Sequence, residues 1–223
     1  MRQDLAALID HTLLRPDAVE PDFVRLCHEA VQHSFATVCV NSSHVALCTS
    51  LLADCQLPIA ATVGFPLGAS STAAKTAEAA QALLDGASEI DMVCQISALK
   101  EGRRERFMDE IRRVVEAADG ARVKVILETC LLSDDEKRRG AQWTVGAGAA
   151  FVKTSTGFGS GGASEDDLRL LRAEVGPDFG LKASGGIRDA ATADKMIAAG
   201  ASRLGTSAGV AIVTESGIEN RGY

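Results

Sequence analysis

The sequence has few aromatic residues, no run of basic residues and no long uncharged segment suited to a membrane. Aromatic residues make up 4% of the 223 residues, whereas hydrophobic residues make up 46%. A core of small aliphatic side chains favours helices packed closely on a parallel sheet. The net charge of −7, with no basic tract, argues against nucleic acid as a partner. The longest uncharged segment, residues 55–74, contains Pro58, Gly64, Pro66 and Gly68, which excludes a membrane-spanning helix there.

Paired cysteines are also missing. The six cysteines are dispersed and form no C-x-x-C motif: Cys27, Cys39, Cys48, Cys55, Cys94 and Cys130. This pattern indicates reduced thiols and a cytoplasmic protein, not a disulfide framework. The polar residues 1–4 lead into no hydrophobic secretion signal. The four histidines have no carboxylate or cysteine at metal-binding spacing, so we expect no metal site.

Short apolar or β-branched segments recur along the chain, with helical patterns between them. The eight segments are residues 9–13, 37–40, 59–63, 89–93, 123–127, 151–153, 181–183 and 203–205. Between two of them, Phe107, Ile111 and Val114 follow the spacing of one buried helical face. No Ser/Pro/Gly-rich linker divides the chain, so we predict a single domain over residues 1–223, with a short C-terminal tail from about residue 216.

A weak internal repeat indicates how these segments are arranged. Residues 86–91, 148–153 and 200–205 each start with a glycine, continue with a small residue and enter a strand. The fifth residue after each glycine is Asp91, Lys153 or Gly205. In a barrel of alternating strands and helices, this offset places all three at C-terminal strand ends, where such barrels build their active sites. We therefore predict an α/β fold, a single (β/α)8 TIM barrel.

A doubly wound open sheet is the alternative fold. Such sheets usually carry a glycine-rich dinucleotide fingerprint directly after the first strand. Residues 9–14, Ile-Asp-His-Thr-Leu-Leu, contain no glycine. The barrel is therefore favoured.

Two lysines occupy strand-like segments, each followed by small residues. Lys153 lies in residues 151–158 and Lys182 in residues 180–188. Burying an ammonium group is costly unless it is paired or neutralised. A lysine with a lowered pKa becomes a nucleophilic amine that can form a Schiff base with a carbonyl. The pair therefore suggests carbonyl chemistry on a phosphorylated substrate.

Seven segments, taken in order, resemble those of one enzyme family. They are residues 9–14, 38–41, 62–68, 89–93, 124–129, 153–158 (Lys-Thr-Ser-Thr-Gly-Phe) and 182–188 (Lys-Ala-Ser-Gly-Gly-Ile-Arg), and residues 205–207 extend the match. Together they resemble the class I deoxyribose-phosphate aldolases over nearly the whole chain. Each motif alone is moderately specific, whereas the ordered set is highly specific.

The resemblance implies a (β/α)8 barrel that cleaves 2-deoxy-D-ribose 5-phosphate reversibly to D-glyceraldehyde 3-phosphate and acetaldehyde, without a metal or other cofactor. It implies that Lys153 forms the Schiff base and that the charge of Lys182 lowers the pKa of Lys153. It also implies that Asp91 takes part in a proton relay through water. In some relatives a C-terminal tyrosine folds over the site and helps to protonate the enamine carbon, a role that would fall to Tyr223.

Glycines after the last two strands are expected to bind the phosphate. Gly185 and Gly186 follow strand seven, and Gly205 and Ser207 follow strand eight, which matches the usual phosphate position in such barrels. Gly157 is expected to add a backbone donor, because glycine lets the main chain approach a ligand closely. The remaining substrate-binding candidates are Asp10, Thr12, Cys39, Thr156 and Arg188.

Some side chains have more than one possible role. Asp10 either orients a catalytic lysine or bonds to backbone, and Cys39 is interpreted as a small residue lining the aldehyde pocket, not as a nucleophile. Lys124 and Glu128 lie four apart on strand five, so we expect them on one face, as an ion pair that orders the lysines or as a layer without chemistry. Phe158 stands where some family members carry a lysine, which weakens the predicted preference for phosphate.

Three other functions compete with this one. They are a Schiff-base aldolase for another phosphorylated sugar, a catalytically silent barrel that binds phosphosugars, and a phosphosugar isomerase, which would use a strand-end carboxylate without a lysine pair. The expected partners are a small phosphosugar and aldehydes, with no nucleic acid and no membrane. We also expect a homo-oligomer, with a dimer favoured, because barrels of this size often pair through exposed helices.

Overall fold

Eight parallel strands form a closed barrel. The computed structural model describes residues 2–215 of the chain. The strands are β1 (Ile9–Leu13), β2 (Thr37–Asn41), β3 (Ile59–Val63), β4 (Glu89–Val93), β5 (Arg122–Ile126), β6 (Phe151–Lys153), β7 (Gly180–Ser184) and β8 (Arg203–Thr206). Each strand pairs with the next, and β8 pairs with β1. The predicted (β/α)8 barrel is confirmed, and every predicted strand matches an observed one to within one residue at each end.

Helices lie between the strands along the chain, and one further helix precedes β1 and another follows β8. They are α1 (Gln3–Ala6), α2 (Glu20–His33), α3 (Val45–Leu51), α4 (Thr72–Leu84), α5 (Ile96–Lys100), α6 (Arg104–Ala117), α7 (Asp134–Gly146), α8 (Glu165–Val175), α9 (Ala190–Ala198) and α10 (Gly209–Thr214). Two short 3-10 turns cover Ser42–His44 and Thr129–Leu131. The spacing of Ser133 and Glu136 predicts a capping box, and both of its hydrogen bonds are present at the start of α7.

The strands separate two environments. Outward-facing residues such as Val38, Ile90 and Val125 are fully buried and belong to the hydrophobic core between sheet and helices. The helix face predicted from Phe107, Ile111 and Val114 belongs to the same core. Because side chains alternate along a strand, the residues between these apolar positions point into the barrel. Those inward positions carry the charged residues of the site.

Candidate active site

Seven charged side chains meet inside the barrel, and we refer to them as the ionic cluster. The cluster comprises Asp10, Glu89, Asp91, Lys124, Lys153, Lys182 and Arg203. The side chain of Arg203 is 11% exposed, and the other six are 6% exposed or less. Charged groups this deeply buried must be paired or neutralised. The fold thus brings the predicted Lys153, Lys182, Asp91 and Asp10 together.

Asp91 lies at the centre of the ionic cluster. Its Oδ2 atom accepts hydrogen bonds from the Nζ atoms of Lys153 and Lys182, both at 2.7 Å. Its Oδ1 atom accepts a hydrogen bond from Nζ of Lys124 at 2.6 Å. The strand register produces this arrangement, because Asp91 lies opposite Lys124 across β4 and β5. In the same way, Lys153 lies opposite Lys182 across β6 and β7.

Asp10, on β1, binds the other side of Lys182. Its Oδ2 atom accepts a hydrogen bond from Nζ of Lys182, and its Oδ1 atom lies 2.7 Å from a guanidinium nitrogen of Arg203. The hydroxyl of Thr12 donates to the Asp10 carbonyl at 2.8 Å. Of the two roles considered for the Asp10 side chain, these contacts support the orientation of a lysine.

The charges of the ionic cluster balance when one proton is removed. The cluster contains three lysines and one arginine but only three carboxylates. With every group ionised it would carry one uncompensated positive charge in a buried site. Loss of one lysine proton removes this excess, and the cost of burying net charge therefore favours one neutral amine.

The surroundings favour loss of a proton from Lys153 over loss from the other two lysines of the ionic cluster. Burial and the ammonium of Lys182 lower the pKa of Lys153, although Asp91 acts in the opposite direction. Burial also acts to lower the pKa of Lys182, but Asp10 and Asp91 outweigh it and raise this pKa. Burial likewise opposes the charge on Lys124, yet its carboxylate neighbours raise its pKa. Lys153 therefore loses its proton at a lower pH than Lys182 or Lys124.

Asp91 remains ionised in this setting. Burial acts to raise the pKa of its carboxyl group, but the ammonium groups of Lys124, Lys153 and Lys182 hold the pKa well below its ordinary value. Asp10 behaves in the same way: burial is opposed by Lys182, Lys124 and Arg203, and the net pKa is lowered. The two carboxylates can therefore act as fixed negative charges that orient the lysines.

The ion pair between Lys124 and Glu128, one of the two arrangements considered for these residues, does not form. Lys124 instead contacts Asp91 and Glu89, each at 2.6 Å. Strand β5 ends at Ile126, and Glu128 has a left-handed backbone with φ 56° and ψ 66°. The regular alternation of strand faces no longer holds at that point, so a spacing of four does not place both side chains on one face. Glu128 accepts hydrogen bonds from Thr156.

Cys39 lies in the wall of the site beside Asp91. Its Sγ atom is 3.9 Å from Oδ2 of Asp91, and the residue is fully buried. Burial, the largest cause, raises the pKa of the Cys39 thiol. A neutral thiol is a weak nucleophile, which agrees with the expected packing role.

The predicted phosphate glycines occupy different environments. Gly185 and Gly186 have φ values of 85° and 81°, a left-handed conformation that favours glycine. Gly157, with φ 89°, has the same character. A Cβ atom on Gly205 would lie 2.9 Å from Cε of Lys182, so this glycine makes room for the lysine side chain. Ser207 follows β8 directly and is half-buried.

The remaining candidates lie at the edge of the site or beyond the described residues. Arg188 follows Gly185 and Gly186 in the loop after β7 and is exposed, and within residues 2–215 it makes no ion pair. Thr156 is buried and bonded to Glu128. Tyr223 and the predicted tail from about residue 216 lie outside the described residues.

Two members of the ionic cluster were not predicted from the sequence. Glu89 and Arg203 lie on inward faces, and Arg203 contacts both Asp10 at 2.7 Å and Glu89 at 3.5 Å. A signal was available, because each lies two residues before a predicted site residue, Asp91 or Gly205, on the same strand. Residues two apart on a strand share a face.

No helix within residues 2–215 is long and apolar enough to cross a membrane. In the same part of the chain, no group of three or more His, Cys, Asp or Glu side chains is arranged to hold a metal ion.

The closed barrel and its buried lysines define a (β/α)8-barrel enzyme. A model of the family described as DeoC/LacD family aldolase matches residues 5–215. The chain belongs to this family of aldolases, which are carbon–carbon lyases.

Relatives and solved structures agree with this assignment. The chain is 52% identical over 212 residues to a deoxyribose-phosphate aldolase of Coprothermobacter proteolyticus, covering 95% of this chain and 97% of that protein. It is 51% identical over 221 residues to one of Alkaliphilus oremlandii, covering 99% and 100%. A structure described as a tetrameric deoxyribose phosphate aldolase from Aeropyrum pernix superposes with a TM-score of 0.90 at 34% identity, covering 96% of this chain and 91% of that one.

Proposed function

We propose that this protein is a class I aldolase that cleaves 2-deoxy-D-ribose 5-phosphate reversibly to D-glyceraldehyde 3-phosphate and acetaldehyde. The observation that carries the proposal is the lowered pKa of Lys153 beside Lys182 and Asp91 at a C-terminal strand end. A neutral amine in a buried site is the group that Schiff-base formation requires. The substrate is taken from the relatives, which are deoxyribose-phosphate aldolases.

Lys153 performs the covalent step in this proposal. Its neutral amine attacks C1 of the open-chain sugar, and loss of water gives an imine. The protonated imine accepts the electron pair of the C2–C3 bond when the proton of the 3-hydroxyl leaves. D-glyceraldehyde 3-phosphate departs, and a two-carbon enamine stays on Lys153. Protonation of this enamine, followed by hydrolysis, releases acetaldehyde and restores the amine.

The other members of the ionic cluster prepare Lys153 for this step. An ordinary lysine has a pKa of about 10.4, so only about one in a thousand is neutral at pH 7. Each unit by which the pKa falls raises that fraction about tenfold. Lys182, held as an ammonium by Asp10 and Asp91, supplies the repulsion. Asp91 and a water would relay the proton between the sugar hydroxyl and the enamine carbon.

The phosphate end of the substrate is assigned to glycine-rich turns at the mouth of the barrel. Gly185 and Gly186 would present backbone N–H groups after β7, and Ser207 would do so after β8. Gly157 would add a donor after β6, and Arg188 would add positive charge. In this proposal Tyr223 helps to protonate the enamine.

Borohydride trapping tests the proposal. Reduction in the presence of 2-deoxyribose 5-phosphate, followed by peptide mass mapping, is expected to give a stable adduct on Lys153. The adduct mass distinguishes a two-carbon fragment from the whole sugar. Lys153→Arg keeps the charge but supplies no neutral amine, so it should abolish the adduct. Lys195→Arg, at an exposed lysine of α9, is the matched control and should leave the adduct unchanged.

Other outcomes of the trapping experiment would favour a different function. An adduct spread over surface lysines, or none at all, contradicts the aldolase and favours a binding or isomerase barrel. A specific adduct that forms with other phosphorylated sugars but not with acetaldehyde indicates a different Schiff-base aldolase.

We also propose that the enzyme acts in deoxyribose phosphate catabolism in the cytoplasm, as a homo-oligomer. Exposed Val24 and Val31 on α2, 45% and 48% exposed, offer an apolar face of the kind that such assemblies cover. Light scattering coupled to size exclusion would measure the assembly directly. A dimer is the expected result, and a monomer at micromolar concentration would contradict it.

A further inference from the structure

Glu128 combines an unfavourable backbone conformation with a buried carboxylate. It lies two residues beyond β5 with φ 56°, in the left-handed region that favours glycine. The residue is only 4% exposed, and within residues 2–215 its carboxylate forms no ion pair with a lysine or arginine. Residues held in such conformations cluster at functional sites. The carboxylate therefore calls for a role beyond packing.

The Glu128 carboxylate binds Thr156, three residues after Lys153. The Thr156 N–H donates to its two oxygens at 3.3 and 3.4 Å, and the Thr156 hydroxyl donates to Oε2. Backbone hydrogen bonds join the same two segments, from Leu127 N–H to the Lys153 carbonyl and from Thr129 N–H to the Thr154 carbonyl, both at 3.0 Å. Hydrogen bonds on both sides of Glu128 thus join the segment after β5 to the C-terminal end of β6 and the residues that follow it.

The contact extends from Thr156 to the turn at Gly157. The Thr156 hydroxyl oxygen accepts a hydrogen bond from the Phe158 N–H at 3.0 Å. Glu128, Thr156 and Phe158 therefore bracket Gly157 on both sides and fix its left-handed conformation, with φ 89°. A Cβ atom on Gly159 would lie 3.2 Å from Cδ of Glu128, so this glycine leaves room for the carboxylate.

We infer that Glu128 is a positioning residue that shapes the Gly157 turn for the phosphate of the substrate. The inference rests on the proposed function, because it assigns a role at the phosphate end of that site. Glu128 already uses the Thr156 N–H and carries a negative charge. The phosphate therefore cannot bind at Thr156 itself and is directed to the Gly157 N–H. Thr156, predicted to bind substrate directly, acts instead through this turn.

Two substitutions of Glu128 test the inference. Glu128→Gln removes the charge at nearly constant shape, and Glu128→Gly removes the carboxylate while relieving the backbone strain. For both, we expect the KM for 2-deoxyribose 5-phosphate to rise by about tenfold or more. For unphosphorylated 2-deoxyribose, kcat/KM should stay within about twofold of wild type, because its binding does not use the turn. Trapping of acetaldehyde on Lys153 should stay at the wild-type level.

Substitutions of Thr156 separate an indirect role from a direct one. Thr156→Val removes the hydroxyl, and Thr156→Ser keeps it as the matched control. If Thr156 acts through Glu128, the Glu128→Gln/Thr156→Val double variant should have nearly the same KM as either single variant. Thr156→Ser keeps the hydroxyl that bonds to Glu128, so its KM should lie closer to the wild-type value than that of Thr156→Val. Multiplying effects in the double variant would show that Thr156 contacts the phosphate independently and would overturn the inference.

The remaining outcomes also decide the matter. An equal fall in kcat/KM for both sugars would mean that Glu128 has a general structural role. Unchanged KM values would mean that Glu128 does not position the phosphate-binding turn. Calorimetric binding of inorganic phosphate needs no turnover and should weaken by a similar factor in both Glu128 variants. If wild type traps no acetaldehyde, the proposed function fails. The phosphate titration would still decide the role of Glu128.

Discussion

At the scale of single residues, Lys153 and Lys182 share one carboxylate oxygen but differ in their pKa values. Both donate to Oδ2 of Asp91 at 2.7 Å. Lys182 also donates to Asp10, whereas among residues 2–215 the Lys153 amine donates to Asp91 alone. The additional carboxylate keeps the proton on Lys182, and the resulting ammonium, together with burial, favours its loss from Lys153. The second lysine thus acts on the first through charge.

Replacing Lys182 separates its charge from its shape. In the proposed mechanism activity requires a neutral Lys153, so kcat/KM should rise with pH as Lys153 loses its proton. Lys182→Met removes the charge that repels the Lys153 ammonium, so the pKa of Lys153 should rise. The rise of kcat/KM with pH should then occur at a pH higher by about one unit or more. Lys182→Arg keeps a positive charge at every working pH. Its kcat should fall, but the pH at which kcat/KM rises should stay the same. The pH profile of kcat/KM measures both, and an equal shift in the two variants would contradict the charge argument.

At the scale of secondary-structure elements, a second buried ion pair fixes the end of β4. Nζ of Lys75 on α4 lies 2.8 Å from Oε1 of Glu110 on α6 and donates to the Val93 carbonyl, also at 2.8 Å. The other Glu110 oxygen accepts from the Gln95 N–H at 2.8 Å. These contacts hold the two residues that flank Cys94, directly after the strand that carries Asp91.

Removing one partner of this pair should be more damaging than removing both. Glu110→Gln leaves the Lys75 ammonium buried without a carboxylate, and we expect a loss of about 3–5 kcal/mol in the free energy of unfolding. Lys75→Met/Glu110→Leu replaces both charges with apolar groups and should be much closer to wild type. Urea unfolding measures both variants.

An exposed ion pair on the same helix provides the control. Arg113 and Asp109 on α6 are 60% and 54% exposed, so Asp109→Asn should cost less than about 1 kcal/mol. A similar loss at Asp109 and Glu110 would mean that burial does not decide the effect.

The elements also show what a single sequence can and cannot predict. Strand bounds were predictable because short apolar segments and glycines recur with the period of a strand–helix unit. The separation of Lys124 from Glu128 could not be predicted, because it depends on the end of β5 at Ile126 and on the left-handed backbone of Glu128. Nothing local marks Lys75 as buried, since its partner Glu110 is 35 residues away. The face that a strand residue occupies follows from the alternation of side chains along the strand. Contacts between distant elements can be identified only once the fold is known.

At the scale of the whole molecule, a cluster of charged side chains occupies the interior of the barrel, and the hydrophobic core lies between the strands and the helices. Seven charged groups bridge six of the eight strands: β1, β4, β5, β6, β7 and β8. The same contacts that tune Lys153 therefore also link strands of the barrel, so in the proposed mechanism stability and catalysis depend on one set of protonation states.

The response of stability to acid follows from this arrangement. Asp10 and Asp91 have lowered pKa values in the folded state, so their contribution is complete above the unfolded pKa of about 3.9. Below that pH the unfolded chain binds two protons that the native state does not. The free energy of unfolding should therefore fall by about 2.7 kcal/mol per pH unit from this pair until the folded pKa values are reached. Urea unfolding between pH 5 and 2 measures the slope.

Single variants identify the source of that slope. Asp10→Asn should lower the slope of the free energy of unfolding against pH by about 1.4 kcal/mol per pH unit, whatever its effect on stability at pH 7. Asp194, which is 50% exposed and paired with Arg2, also has a lowered pKa, so Asp194→Asn is the control. About 1 M salt should abolish the contribution of Asp194 but leave that of Asp10, because buried charges are screened much less. Equal salt sensitivity at the two positions would show that the charges inside the barrel are solvated, and the argument for a neutral Lys153 would then lose its basis.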